Sequence, residues 1–325
     1  MDSLYNSNNE LIIKPKNDVI FKKLFIENED LLQDLVASIM GVPYDSIKEL
    51  TILNNEMPVE NKSAKRCSLD LRLSVNGDPF SIEIHLTDDN YFIDRSVFYW
   101  VKLFITPLKS GQDYTLLRKT VSVNIVDYTM FENYDDPHTV IRMKNSNDNS
   151  VFYDKFQMHF FELTKLKGGI NKSDRCDMWM KFINARNKED IDMITASNDS
   201  AMNKAVFKIR EMSDDERVIE EAFQREMYLH DIASIKKRAA DEARAEAEAA
   251  VLKAEEEVRK AKADAEKAKV DAENAKVDAE KKAHEKDITN IKRMLNRNKL
   301  SHEEIAEDLN VPLELVKETA LNKDQ

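Results

Sequence analysis

Two carboxylates and an imidazole, set out along a stretch of alternating residues, are the chain's first chemical clue. From Lys65 to Leu86 the sequence reads KRCSLDLRLSVNGDPFSIEIHL, with Asp70 in one alternating run and Glu83 and His85 in the next. In the first run Leu69, Leu71, Leu73 and Val75 oppose Asp70, Arg72 and Ser74. In the second, Phe80, Ile82, Ile84 and Leu86 oppose Ser81, Glu83 and His85. A period of two broken by Asn-Gly-Asp-Pro predicts a β-hairpin. Two registers match the apolar sides: one sets Asp70 opposite Glu83, the other sets Asp70 opposite His85 with Glu83 on the diagonal. Opposed Cβ atoms lie roughly 5 Å apart and diagonal ones roughly 7–8 Å, so in either register both acids can hold one cation. A hard ion such as Mg²⁺ takes oxygen ligands at about 2.1 Å, and one or two carboxylates usually suffice. The same residues also read as a solvated sheet face on which Arg72 pairs with a carboxylate.

The elements around this hairpin must position it. From Asn17 the run DVIFKKLFIENEDLLQDLVASIMG predicts one or two helices, with Phe21, Leu24, Phe25, Leu32, Leu35, Val36 and Ile39 at helical spacing before Gly41 and Pro43. Asn17 or Asp18 suits the N-cap, and Asp18 is also a candidate acid for the site. A strand is expected near 47–53, then a connection holding Glu56 and Glu60. After the hairpin, 88–109 reads as an amphipathic helix whose aromatics, among them Phe92 and Trp100, supply core bulk and which carries Arg95. Strands follow at 120–129, 139–143 and 156–166, where His159 reads as a satisfied sheet residue. Residues 173–212 turn helical.

Ser213-Asp214-Asp215-Glu216 is a helix start, with a hydroxyl cap and acids in the first turn. The helix it opens is expected to run almost unbroken to about Asn296. Ala247, Val251, Ala254, Val258, Ala261, Ala265, Ala268, Ala272, Ala275 and Ala279 alternate spacings of four and three, the heptad seam of a coiled coil. Alanine buries little area, so the stretch reads either as a weakly self-associating helix or as a solitary charged spacer. In the tail, Ser301 and Glu304 form a capping box, and Pro312 opens a second short helix carrying Leu315 and Val316. This pattern resembles a helix-turn-helix, yet Glu314 and Glu318 flank Lys317, which favours protein contact over base readout.

A net charge of −12 argues against binding nucleic acid by bulk electrostatics. DNA contact is therefore expected through local basic patches, Lys14, Lys16, Lys22 and Lys23, or Lys62, Lys65 and Arg66. Only 5 glycines and 7 prolines beside 34% charged residues indicate a helix-rich chain. Cys67 and Cys176 offer neither a disulfide framework nor metal spacing, which suits a reducing compartment. No signal peptide or long apolar run is read, so a cytoplasmic protein without a membrane span is expected.

Taken in order, several blocks resemble a known family, the recombination-promoting nucleases, also described as transposases, of the PD-(D/E)XK nuclease superfamily. KNDVIFKKLF (Lys16–Phe25) is similar to the family's opening D-x-x-F-K block. NNEMP, the Asp70 strand, the Glu83 strand, a helix with Arg95 and Tyr99, and SGQDYTLLRKTVSVNIVD follow. The resemblance covers residues 14–170 and, less closely, the tail. It implies an α/β restriction-endonuclease-like core over 14–170. On either side of that core we expect a disordered segment 1–13, a helical bundle over 171–213, the long Ala-rich coiled-coil-like helix over 214–296 and a terminal module over 297–325. It also implies a metal-dependent DNA endonuclease in a recombination or mobile-element setting, with Asp70, Glu83 and the Ile84 carbonyl holding Mg²⁺ or another divalent cation. His85 stands where the family has Gln and the wider superfamily Lys, and Leu69 stands where the signature has Pro. The alternative is a catalytically silent binding protein that keeps the fold and assembles partners through its long helix.

Overall fold

The hairpin lies within a six-stranded mixed sheet of order β1-β2-β3-β4-β6-β5. Its strands are β1 (Leu50–Leu53), β2 (Leu71–Val75), β3 (Asp78–His85), β4 (Thr120–Val126), β5 (His138–Lys144) and β6 (Val151–Glu162). The computed structural model describes residues 4–57, 67–88, 91–297 and 299–322. β1, β2 and β3 pair antiparallel, β3–β4 and β4–β6 pair parallel, and β5 returns antiparallel on β6. Leu71 pairs with Ile82 and Val75 with Asp78, which leaves Asn76-Gly77 as a two-residue turn. Both turn residues have positive φ, 50° and 83°, as a tight hairpin turn that matches strand twist requires. The turn thereby selects the register that sets Asp70 opposite Glu83.

Parallel neighbours need covering on both faces, and the chain supplies two helical layers. Nine helices are described: α1 (Asp18–Glu27), α2 (Glu29–Met40), α3 (Phe92–Ile105), α4 (Arg175–Ile183), α5 (Lys188–Thr195), α6 (Ser200–Ser213), α7 (Glu216–Leu295), α8 (His302–Leu309) and α9 (Leu313–Leu321). Leu71, Leu73, Ile82, Ile84, Val123 and Ile125 join one buried cluster with apolar residues of α1, α2, α4 and α6. On the other face α3 sets Phe92 and Trp100 against Val126, Met158 and Phe160. Consequently β3 is buried on both sides, and Ser81 and Glu83 are as inaccessible as Ile82. The alternation reads correctly, but the solvated polar face that it also allowed does not form. His159 is the satisfied sheet residue expected, bonded to His138 at 2.9 Å, and burial holds its imidazole down at about 3.

Residues 4–13 pack on the core: Tyr5 bridges Leu11, Glu10 bridges Asn187, and Leu4, Leu11 and Ile13 are buried. These apolar side chains are spaced without a period, so no element was legible there. The chain divides into two compact units, 1–236 and 237–325. The helices α4, α5 and α6 share the main core with the sheet and with Val218 and Ala222 of α7.

In the second unit Ile291, Ile305 and Val316 form a small core, and Ser301 and Glu304 cap α8 reciprocally as the sequence indicates. No described helix is long and apolar enough to cross a membrane.

Replacing Gly77 by Ala should lower stability by about 1–2 kcal/mol. A Cβ there would meet nothing within 4 Å, so the loss is backbone strain alone. Denaturant melts of G77A beside G77N, whose side chain tolerates positive φ, measure it.

Candidate functional site

The hairpin register brings two carboxylates together at the first position before β2 and near the end of β3. They are clamped reciprocally by the backbone. The Asp70 N–H donates to Glu83 Oε1 at 2.8 Å, and the Ile84 N–H donates to Asp70 Oδ2 at 2.9 Å. Asn55 Nδ2 holds the Asp70 carbonyl at 3.0 Å. Each acid therefore uses one oxygen to fix its orientation; of the other two, Asp70 Oδ1 takes Lys22 Nζ at 2.7 Å and Glu83 Oε2 lies 4.0 Å from His85 Nε2.

Both acids line a cavity of about 310 Å³, along with Asp18, Ile84 and His85. The sequence-derived candidates thus converge on one place. Asn17, not Asp18, caps α1, since its side chain accepts from the Val19 N–H. Asp18 is left to take Arg225 Nε at 2.8 Å. His85 Nε2 lies 4.0 Å from Glu83 Oε2. Ile84 is engaged through its N–H; its carbonyl remains an expectation.

Electrostatically the pair is under tension. Glu83 is 5% exposed, and burial first, then the neighbouring Asp70 charge, pushes its carboxyl well above the usual carboxylate range. Lys22 of α1 opposes this by placing Nζ 2.7 Å from Asp70 Oδ1 and 3.9 Å from Asp18 Oδ2. Burial also raises the Tyr99 hydroxyl beside the cavity and lifts the nearby Cys67 thiol to about 12, so that thiol is a packing group.

The lysines of the first basic patch all have acidic partners. Lys14 pairs with Glu226, Lys16 with Asp127, Lys22 with Asp70 and Lys23 with Glu27. Lys16 is buried. Lys14, Lys22 and Lys23 keep about a third of their side chains exposed. Lys62, Lys65 and Arg66 lie outside the described residues. The cations that line the cavity are Arg95, Arg225 and Lys236, of which Arg225 and Lys236 come from the opening turns of α7. Nothing local in the sequence marked those two, because only the fold returns α7 to this cavity.

Among the described residues, no group of three or more His, Cys, Asp and Glu forms a ready metal cluster. The donor chemistry nevertheless fits a hard cation: paired carboxylate oxygens, one of them already facing an ammonium, with like charges set side by side. Two acids on adjoining central strands of a mixed, helix-covered sheet put this chain in the nuclease-like class of α/β folds. The sequence model of the family described as PD-(D/E)XK nuclease family transposase matches residues 15–239, and the chain belongs to that family. No curated protein and no solved structure matches it.

Because the folded state raises the Glu83 carboxyl, this group favours folding at low pH. That contribution is lost as pH rises from the usual carboxylate range through the folded value. Glu83→Gln keeps the acceptor for the Asp70 N–H and removes the charge. In EDTA at pH 7–8 it should raise stability by on the order of 1 kcal/mol, with the difference vanishing near pH 4. Thermal melts across pH check both the size and the sign.

Proposed function

We propose that the chain is a divalent-metal-dependent DNA endonuclease of a recombination or mobile-element system, with Mg²⁺ the natural ion. The observation that carries this reading is the reciprocal clamp of Asp70 and Glu83 at one end of the cavity. Asp70 Oδ1, Glu83 Oε2 and the Ile84 carbonyl are the groups that would hold the ion. When bound, such an ion lowers the pKa of a water and neutralises charge on a phosphate. The chain's own residues do the rest. The backbone N–H groups of Asp70 and Ile84 keep the two carboxylates from rotating. Lys22 balances Asp70 before any ion arrives, and Arg225 holds Asp18 against the cavity. Arg95 and Lys236 place positive charge on the cavity wall, where a phosphodiester can be drawn in despite the chain's net negative charge.

Nicking of supercoiled plasmid tests the reading. The parent should nick with Mg²⁺ and not with EDTA. Asp70→Asn or Glu83→Gln should lose at least about 10²-fold in rate while melting as a folded protein. Nicking by E83Q at the parental rate would end the assignment. DNA binding without cleavage by the parent would favour the silent binding role.

We also propose that the second unit self-associates as a parallel pair. Every residue of α7 from Glu242 to Lys286 is exposed, and Val251 and Val258 lie on its seam. Glu257, Asp264, Asp271 and Asp278 each precede one seam residue, and Lys262, Lys269 and Lys276 each follow the next. In a parallel, in-register pair those acids meet those lysines of the second copy; an antiparallel pair opposes like charges. Under mild oxidation Ala254→Cys alone should give a covalent dimer, with the parent chain as blank. A crosslink that forms only when Ala254→Cys and Ala272→Cys chains are mixed would mean the antiparallel arrangement.

A further inference from the structure

A phosphoryl site needs positive charge fixed where negative charge accumulates, and position 85 carries an imidazole that offers none when neutral. We infer that Arg95 supplies this charge, held in place by His85, so that two residues together fill the role of one lysine. The inference rests on the nuclease reading above and adds a specific residue to it.

Three observations place Arg95. Arg95 Nη2 lies 3.3 Å from His85 Nδ1. A guanidinium only donates, so Nδ1 must accept. The histidine proton is thereby fixed on Nε2, the nitrogen 4.0 Å from Glu83 Oε2. His85 thus joins the metal-site acid on one side to a permanent cation on the other. Next, a single buried ring holds both partners. The His85 ring meets Phe92 edge-on with centroids 4.5 Å apart, and the Arg95 guanidinium lies 5.6 Å from the Phe92 centroid. Phe92 is only 3% exposed and is packed against the sheet, so it fixes His85 and Arg95 against each other. Finally, Arg95 lines the same cavity as Asp70 and Glu83.

The two sides of this unit divide the work of a lysine. His85 reaches from the strand but brings no charge; Arg95 brings charge from α3, at a cavity wall it shares with Asp70 and Glu83. The planar guanidinium fork suits two phosphate oxygens at once, which an ammonium does not.

Three variants and two readouts test this. In ¹⁵N spectra of the histidine rings, His85 should show the Nε2–H tautomer in the parent and lose that preference in Arg95→Met. Arg95→Gln keeps a donor for Nδ1 without charge, so it should preserve the tautomer. In plasmid nicking with Mg²⁺, R95M and R95Q should both fall about 10²–10³-fold, and adding His85→Lys to R95M should restore the rate to within tenfold of the parent. R95Q at full rate, or an R95M tautomer like the parent's, would overturn the inference. So would an R95M loss that His85→Lys leaves unrestored, since Arg95 would then be a packing residue. If the parent fails to nick at all, the nuclease reading fails, while the tautomer comparison still decides whether Arg95 sets His85.

Discussion

A buried carboxylate, Glu83, and a part-buried one, Asp70, facing each other across a strand pair are the constraint to which the first unit is built. Neither carboxylate can turn away, because each is bonded to the backbone beside the other, and neither is well hydrated. The surrounding structure answers with Lys22 from α1 on one flank and Arg95 from α3 on the other. Those helices lie on opposite faces of the sheet, so both layers contribute to one charge balance. The helical cover that buries β3 on both faces is therefore also what makes the acid pair electrostatically costly.

Much of this was legible before the fold was known, and for physical reasons. Period-two alternation announced the hairpin because each strand has one side in the main core. The acids were legible because an ionisable group on a strand with a strongly apolar opposite side is easy to single out. Alternation alone allows two pairings, since both satisfy the apolar match; the two-residue Asn76-Gly77 turn closes the question by geometry alone. Asp18 was divided between a cap and a site role, and the structure gives the cap to Asn17.

The rest was not legible because it depends on contacts far apart in the chain. Lys22 looked like part of a cationic surface, yet its nearest partner is an acid on another element. Lys16 looked the same and is a buried counter-ion to Asp127. Leu4, Leu11 and Ile13 have no period because the segment they anchor is neither helix nor strand. The union of α4, α5 and α6 with the sheet could not be read from composition, which changes near residue 171 without the core changing. The place of His85 in the family pattern was visible at once; its partner ten residues on was not, since loop and helix geometry decide which side chain reaches it.

Asp18 precedes Arg225 by 207 positions along the chain. Synthesis runs from the N-terminus, and a ribosome adds only about 5–20 residues per second. The strand pair bearing Asp70 and Glu83 is therefore made well before the segment that supplies the Arg225 wall. During that interval the acids exist without the completed cavity, and the nascent chain lacks the Asp18 partner. A cavity assembled from both ends of its unit has a built-in delay, so it is finished only when nearly the whole unit has left the ribosome.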